Sequence, residues 1–242
     1  PALLAANEYF REVSYNKASF SFTYSNGVWQ GGTLPDSNDA EMAVAVEACG
    51  YAENGNKINY GEVDKVIVYP SLMPDAPDMS GGGRPKRTIV TSTGSFVLDV
   101  VYLKELPMKS GHHVLQSVAM HELGHTFDLP HANALKCPLP QLNFLQRIAP
   151  CTPINYGNIF DVMGRNAYEG HINGFYKAMA GWGYFRAVDI DGTYDLGVLE
   201  VSTNKPVSLM IRTHEKDKPI NKVDFCVEYR KPIGYDNFAA KA

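Results

Sequence analysis

The stretch His121-Glu-Leu-Gly-His125-Thr-Phe-Asp-Leu-Pro-His131 carries three imidazoles and a carboxylate. On a helix, residues four apart lie about 40° from a common line, so His121 and His125 can reach one ion. Three imidazoles with one open position are what a catalytic zinc ion requires. Glu122, one step round the helix, is placed to act on a water at that open position without ligating the metal. His131 cannot sit on the same helix and still join them, because it would point roughly 240° round and about 9 Å along from His125. The chain must turn back after the first two ligands, and Pro130 enforces this by disfavouring helical geometry at Leu129. With 7 histidines in 242 residues, a chance HExxH has a probability of about 1%, and a third histidine six residues on lowers it to roughly 0.03%. The plain alternative is a buried helix with histidines as polar fillers. Among Val114, Leu115, Val118, Met120, Leu123 and Phe127, however, those groups would be costly without a partner. A metal supplies one.

This pattern resembles the metzincin metallopeptidases, whose signature is HExxHxxGxxH followed by a Met-turn. Tyr156-Gly-Asn-Ile-Phe-Asp161-Val-Met163-Gly164 resembles the Met-turn of the gametolysin-like branch, and residues 7–15 and 227–236 resemble further segments of that group. The resemblance is strong over 111–185 and patchy elsewhere. It implies an α+β fold, a metzincin-like catalytic domain with a twisted mixed sheet and long helices. An irregular lower subdomain would hold His131 and Met163, with Met163 packed under the histidines and not ligating. It also implies Zn²⁺ as cofactor, with His121, His125 and His131 as ligands and Glu122 as the catalytic base. The expected activity is a secreted endopeptidase acting on extracellular proteins or glycoproteins. A catalytically silent binding module on the same fold is the alternative. Two positions depart from the pattern. Asp128 stands where the family has Gly, at a left-handed turn that costs an L-residue roughly 1–2 kcal/mol, although Asp tolerates that conformation better than most. Arg165 stands two after the methionine, where some metzincins have a ligating Tyr; Tyr156 or Tyr168 could approach the metal, but no spacing requires it.

Positioning these residues calls for a helix over 111–127 and sheet structure before it. Residues 2–13 have helical spacing, with Leu3, Leu4, Tyr9 and Val13 on roughly one face. Ala18–Tyr24 alternates like a half-buried strand. Ser37 or Asn38 caps a helix running to Gly50. Residues 65–69 read as a buried strand, Gly81-Gly-Gly83 with Pro85 as a turn or loop, and 88–91 and 95–103 as two strands. Ser95–Leu103 is the expected edge strand for an extended substrate. After an irregular stretch to about 165, residues 173–182 have helical spacing, and 194–201, 207–212 and 223–229 read as strands. The expected organisation is a catalytic domain over 1–187, with its upper subdomain ending near 125, followed by a β-rich segment over 188–242 that could belong to a further module.

A net charge of −4 with scattered basic residues argues against nucleic acid as partner. No apolar run approaches the ~20 residues of a membrane span. Cysteines at 49, 137, 151 and 226 include no CxxC pair, which favours disulfides or buried thiols over thiolate metal binding. Cys137–Cys151 is the favoured bridge, Cys49–Cys226 a less favoured one, and either would place the protein in an oxidising compartment. No signal peptide opens the chain at Pro1, so it reads as a mature or trimmed segment of a longer precursor. Asp189-Ile-Asp191-Gly192-Thr-Tyr-Asp195, with Glu200 twelfth, is similar to a calcium loop, but Gly falls fourth instead of sixth. An Asp-Gly turn is the better reading, and Ca²⁺ is possible but unsupported. His112 and His113 read as surface residues, and His171 and His214 as isolated ones.

Overall fold

A computed structural model of the chain describes residues 1–25, 46, 50, 56–68, 81–103, 113–136, 152–165, 170–212 and 224–237. These form a mixed α+β fold with few helices and several small sheets. No helix among the described residues is long and apolar enough to cross a membrane. The chain divides into two compact units, Pro1–Leu3 with Phe20–Asp128, and Leu4–Ser19 with Leu129–Ala242.

The first unit is built on a three-stranded sheet. Strand β1 (Lys65–Val68) runs parallel to β3 (Gly94–Leu103), and β2 (Gly81–Thr91) runs antiparallel to β3 on its other side. Leu98, Val100 and Tyr102 point to one face, where they pack with Ile89, Tyr60 and Val46; Val101 and Leu103 point to the other, as the two-residue period of a strand requires. Helix α2 (His113–His125) packs against β2 and β3. Gly83 pairs with Val101, so both face the same side, and a Cβ on Gly83 would come within 2.4 Å of the Glu122 carbonyl and 2.8 Å of the His125 Cβ. The helix therefore lies over the Val101 face, and glycine at 83 is what lets it approach.

This corrects the reading of Gly81-Gly-Gly83 as a turn: the three glycines begin an eleven-residue strand. A glycine run reads as a breaker because it lacks side chains, and here their absence makes room for a helix. Pro85 and Lys86 sit in a register shift between Arg84 and Arg87, where the missing proline N–H removes no ladder bond. Lys86 takes a φ of 55° there and donates its N–H to Asp99 Oδ1 at 2.9 Å. The other oxygen of Asp99 pairs with Lys65 Nζ. A second correction follows from the strand order. Among the described residues, Ser95–Leu103 lies within the central strand, not at an edge; β1 and β2 are the outer strands, and β2 is the one packed against the helix. Ala18–Tyr24 also forms no regular strand. Its alternation survives as Phe20 stacked on Phe22 and packed on Phe127. Of the expected helix from Ser37 or Asn38 to Gly50, only Val46 and Gly50 are described, and Val46 is helical and buried.

In the second unit, helix α1 (Ala2–Val13) buries Ala6, Tyr9, Phe10 and Val13. Leu4 points outward instead, 59% exposed. Tyr9 donates its hydroxyl to the Gly170 carbonyl and meets Tyr235 edge-on. Helix α3 (Gly174–Met179) is capped by Asn173, whose side chain accepts from the Tyr176 N–H. Strands β4 (Ala134–Lys136) and β5 (Thr152–Ile154) form a short antiparallel pair. A third sheet places β6 (Phe185–Val188) parallel to β7 (Ser208–Arg212), and β7 antiparallel to β8 (Asp224–Val227). The stretch 194–201 is irregular, with an isolated bridge from Val198 to Tyr229, and the expected strand there is corrected accordingly. Strand β6 had no alternating signal of its own.

His171 is not isolated. It is fully buried, with Nε2 2.9 Å from Glu12 Oε1 and Nδ1 2.9 Å from Lys177 Nζ. Lys177 also donates to the Leu199 carbonyl and the Tyr15 hydroxyl. Burial, then the Arg230 guanidinium, pushes Lys177 down to about 7, against the opposing pull of Asp236, Glu200 and Glu228. Between about pH 7 and 10.5 the unfolded chain then holds a proton that the folded chain has released. Stability should rise with pH across that window, by up to about 1.4 kcal/mol per pH unit. Urea unfolding of the wild type and of Lys177→Met at pH 7.5 and 9.5 checks this. A slope equal in the two proteins would show that Lys177 stays charged inside the fold.

Candidate metal centre

Residues 117–123 of α2 are buried throughout, as expected of a helix pressed onto a sheet. His121 and His125 lie one turn apart, with ring centroids 4.8 Å apart and planes at 85°. After His125 the helix tightens into three successive turns: Thr126, Phe127 and Asp128 donate to the carbonyls of Leu123, Gly124 and His125. Asp128 ends the run at a φ of 59°, the left-handed turn expected of it. Its carboxylate lies 3.1 Å from Lys86 Nζ, both side chains exposed. Leu129 is then buried and His131 half-buried.

Local contacts fix the chain around His131. Its carbonyl accepts from the Tyr176 hydroxyl at 3.0 Å, and its ring lies tilted against that of Tyr156 with centroids 3.8 Å apart. The next residue, Ala132, donates to the Met163 carbonyl and accepts from the Asn158 N–H. Met163 is fully buried in a turn held by Asp161, whose Oδ1 accepts the Met163 N–H and whose Oδ2 accepts from Asn173. Gly164 closes this turn so tightly that a Cβ would sit 1.9 Å from the Asn158 carbonyl; no other residue fits there.

One ligand atom from each of His121, His125 and His131 lies within 4.8 Å of the others. Imidazole nitrogens bound at about 2.0–2.1 Å around a tetrahedral zinc are roughly 3.4 Å apart, so small rotations bring this set onto one ion. The three histidines could therefore bind a metal ion. Glu122 is outside that group. Its carboxylate accepts the Gly83 N–H, and burial, partly offset by that hydrogen bond, pushes it up to about 7.

Among the remaining histidines, His112 and His214 lie outside the described residues. So do Cys49, Cys137, Cys151 and Tyr168, so neither expected disulfide is described; Cys226 is exposed on β8. In the sequence similar to a calcium loop, Glu200 accepts from the Lys231 N–H. Sequence reasoning missed Gly83 and Tyr176. The Ser80 and Pro85 that flank the triglycine mask it as a turn, and nothing local marks Tyr176.

The turn after α2 is directly testable. Asp128→Gly removes a left-handed L-residue, a relief of about 1 kcal/mol, and an exposed ion pair worth about 0–1 kcal/mol. Unchanged or slightly raised stability and full metal content are expected by urea unfolding and metal analysis. Lost metal affinity would mean that the Lys86–Asp128 tether, not the backbone conformation, sets the turn.

Comparison of the chain with protein-family models, with curated proteins and with solved structures found no match.

Proposed function

We propose that this chain is a secreted zinc endopeptidase of the metzincin type, with proteins or glycoproteins outside the cell as substrates. One observation carries the reading: three histidine ligand atoms converge within 4.8 Å while the adjacent Glu122 is held apart from them. That combination is three neutral nitrogen ligands with an uncoordinated carboxylate beside them. The buried Met163 turn, hydrogen-bonded to the residue after His131, supports the same reading.

Zinc held by His121, His125 and His131 would supply Lewis-acid polarisation of a scissile carbonyl and acidify an attacking water. Glu122 takes the proton of that water as it attacks and returns it to the departing amine. The Gly83 N–H aims the Glu122 carboxylate, and the packing of α2 on β2 and β3 limits its solvent contact. An extended peptide pairs along β2, the outer strand beside α2.

The test combines metal analysis with a peptide-library digest in the presence and absence of chelator. About one zinc per chain is expected, with cleavage lost to chelator and restored by zinc. A protein that holds zinc and cleaves nothing in a broad panel would overturn the peptidase assignment and leave a binding module.

A further inference from the structure

Tyr156 occupies an expensive place in the chain. Its φ of 56° is in the left-handed region, where Gly, Asn or Asp are the usual residues and a bulky aromatic is an outlier. The neighbouring bonds hold it there. Its N–H donates to Asn133 Oδ1 at 2.9 Å, and the Gly157 N–H closes the turn onto the Ile154 carbonyl. Gly157 is closely packed as well, since a Cβ there would lie 2.6 Å from that of Ala134. Such strain persists where the surroundings over-determine it, and it concentrates at working sites.

What the strained backbone accomplishes is visible in the ring. Tyr156 lies against the His131 imidazole with centroids 3.8 Å apart and planes at 34°, tighter than the usual 4.5–7 Å between aromatic rings. The His131 backbone has its own restraint in the Tyr176 hydroxyl. Tyr176 therefore holds where the residue sits, and the Tyr156 ring holds how the imidazole is turned about its side-chain bonds. We infer that Tyr156 is a positioning residue for the third metal ligand: its closely apposed ring, not its hydroxyl, keeps the His131 ligand nitrogen turned toward those of His121 and His125. This rests on the reading of His131 as a ligand. Groups that orient a ligand in this way are typically worth 10–100-fold in metal affinity.

Two variants of the full chain separate ring from hydroxyl and from backbone strain. Tyr156→Phe keeps the apposed ring, while Tyr156→Gly removes the ring and suits the left-handed backbone better than tyrosine does. Zinc affinity is measured by competition with a chromophoric chelator, and ligand geometry by the visible absorption of the Co²⁺-substituted protein. The glycine variant should bind zinc 10–100-fold more weakly and show an altered Co²⁺ spectrum, with its metal-free unfolding midpoint unchanged or higher. The phenylalanine variant should match the wild type in both readouts. Wild-type affinity and spectrum in the glycine variant would overturn the inference and leave the three-histidine site standing. A phenylalanine variant as weak as the glycine one would also overturn it, by assigning the effect to the hydroxyl. A wild type that takes up no zinc would instead remove the site itself, and this inference with it.

Discussion

Glu122→Ala is expected to keep its zinc and its fold and to lose peptide hydrolysis by at least 10²–10⁴-fold, the range for a general acid–base group. Metal content should be unchanged because Glu122 is not among the three converging ligands. The fold should tolerate the change because the carboxylate is buried against the Gly83 N–H, at a desolvation cost that pushes its pKa up to about 7. Removing a group that is expensive to bury offsets the loss of its hydrogen bond. Steady-state kinetics on a peptide found in the library digest, with zinc measured on the same sample, reads both quantities. Glu122→Gln is the companion, since it keeps the shape and the Gly83 hydrogen bond but cannot take a proton. If Glu122→Gln retains activity within tenfold of the wild type, the carboxylate is not the base.

His131→Ala is expected to lose most of its zinc. His121 and His125 share one rigid helix and would remain aligned, but two imidazoles make an incomplete set for an ion that takes three protein ligands in its catalytic sites. The loss should appear in metal analysis after dialysis against a weak chelator, and hydrolysis should vanish with it. Ala132, Asn158 and Met163 are joined by backbone hydrogen bonds that this substitution leaves intact. The metal-free variant should therefore keep a far-ultraviolet circular dichroism spectrum like that of metal-free wild type. Stoichiometric zinc in His131→Ala would assign the third ligand to another residue.

Much of this was legible in the chain itself. Helix α1, strands β1 and β3, and helices α2 and α3 fall where the spacing of their residues put them. Asp128 is left-handed, as the resemblance implied for the position where the HExxHxxGxxH pattern has Gly. Three of the misreadings share one cause. Ala18–Tyr24 and 194–201 alternate like strands but find no ladder, and Gly81–Gly83 looks like a breaker but has Leu103, Tyr102 and Val101 to pair with. A strand is made by its partner across the sheet, and strand propensity describes little more than a half-buried surface.

The sequence alone determined the pairing of His121 with His125, because helical geometry converts a spacing of four into neighbouring imidazoles without help from distant residues. It also determined that the chain must turn before His131, since Pro130 acts on the residue next to it. Only the tertiary structure decided that β2 is an outer strand, and that its Gly83 both admits α2 and holds the Glu122 carboxylate. It likewise decided that Tyr156 lies against His131, and that His171 and Lys177 share a buried network with Glu12 from the far end of the chain. Those contacts join residues tens to more than a hundred positions apart, and no short-range rule of spacing or propensity constrains such pairs. They are set when strand register and packing are chosen for the whole unit at once.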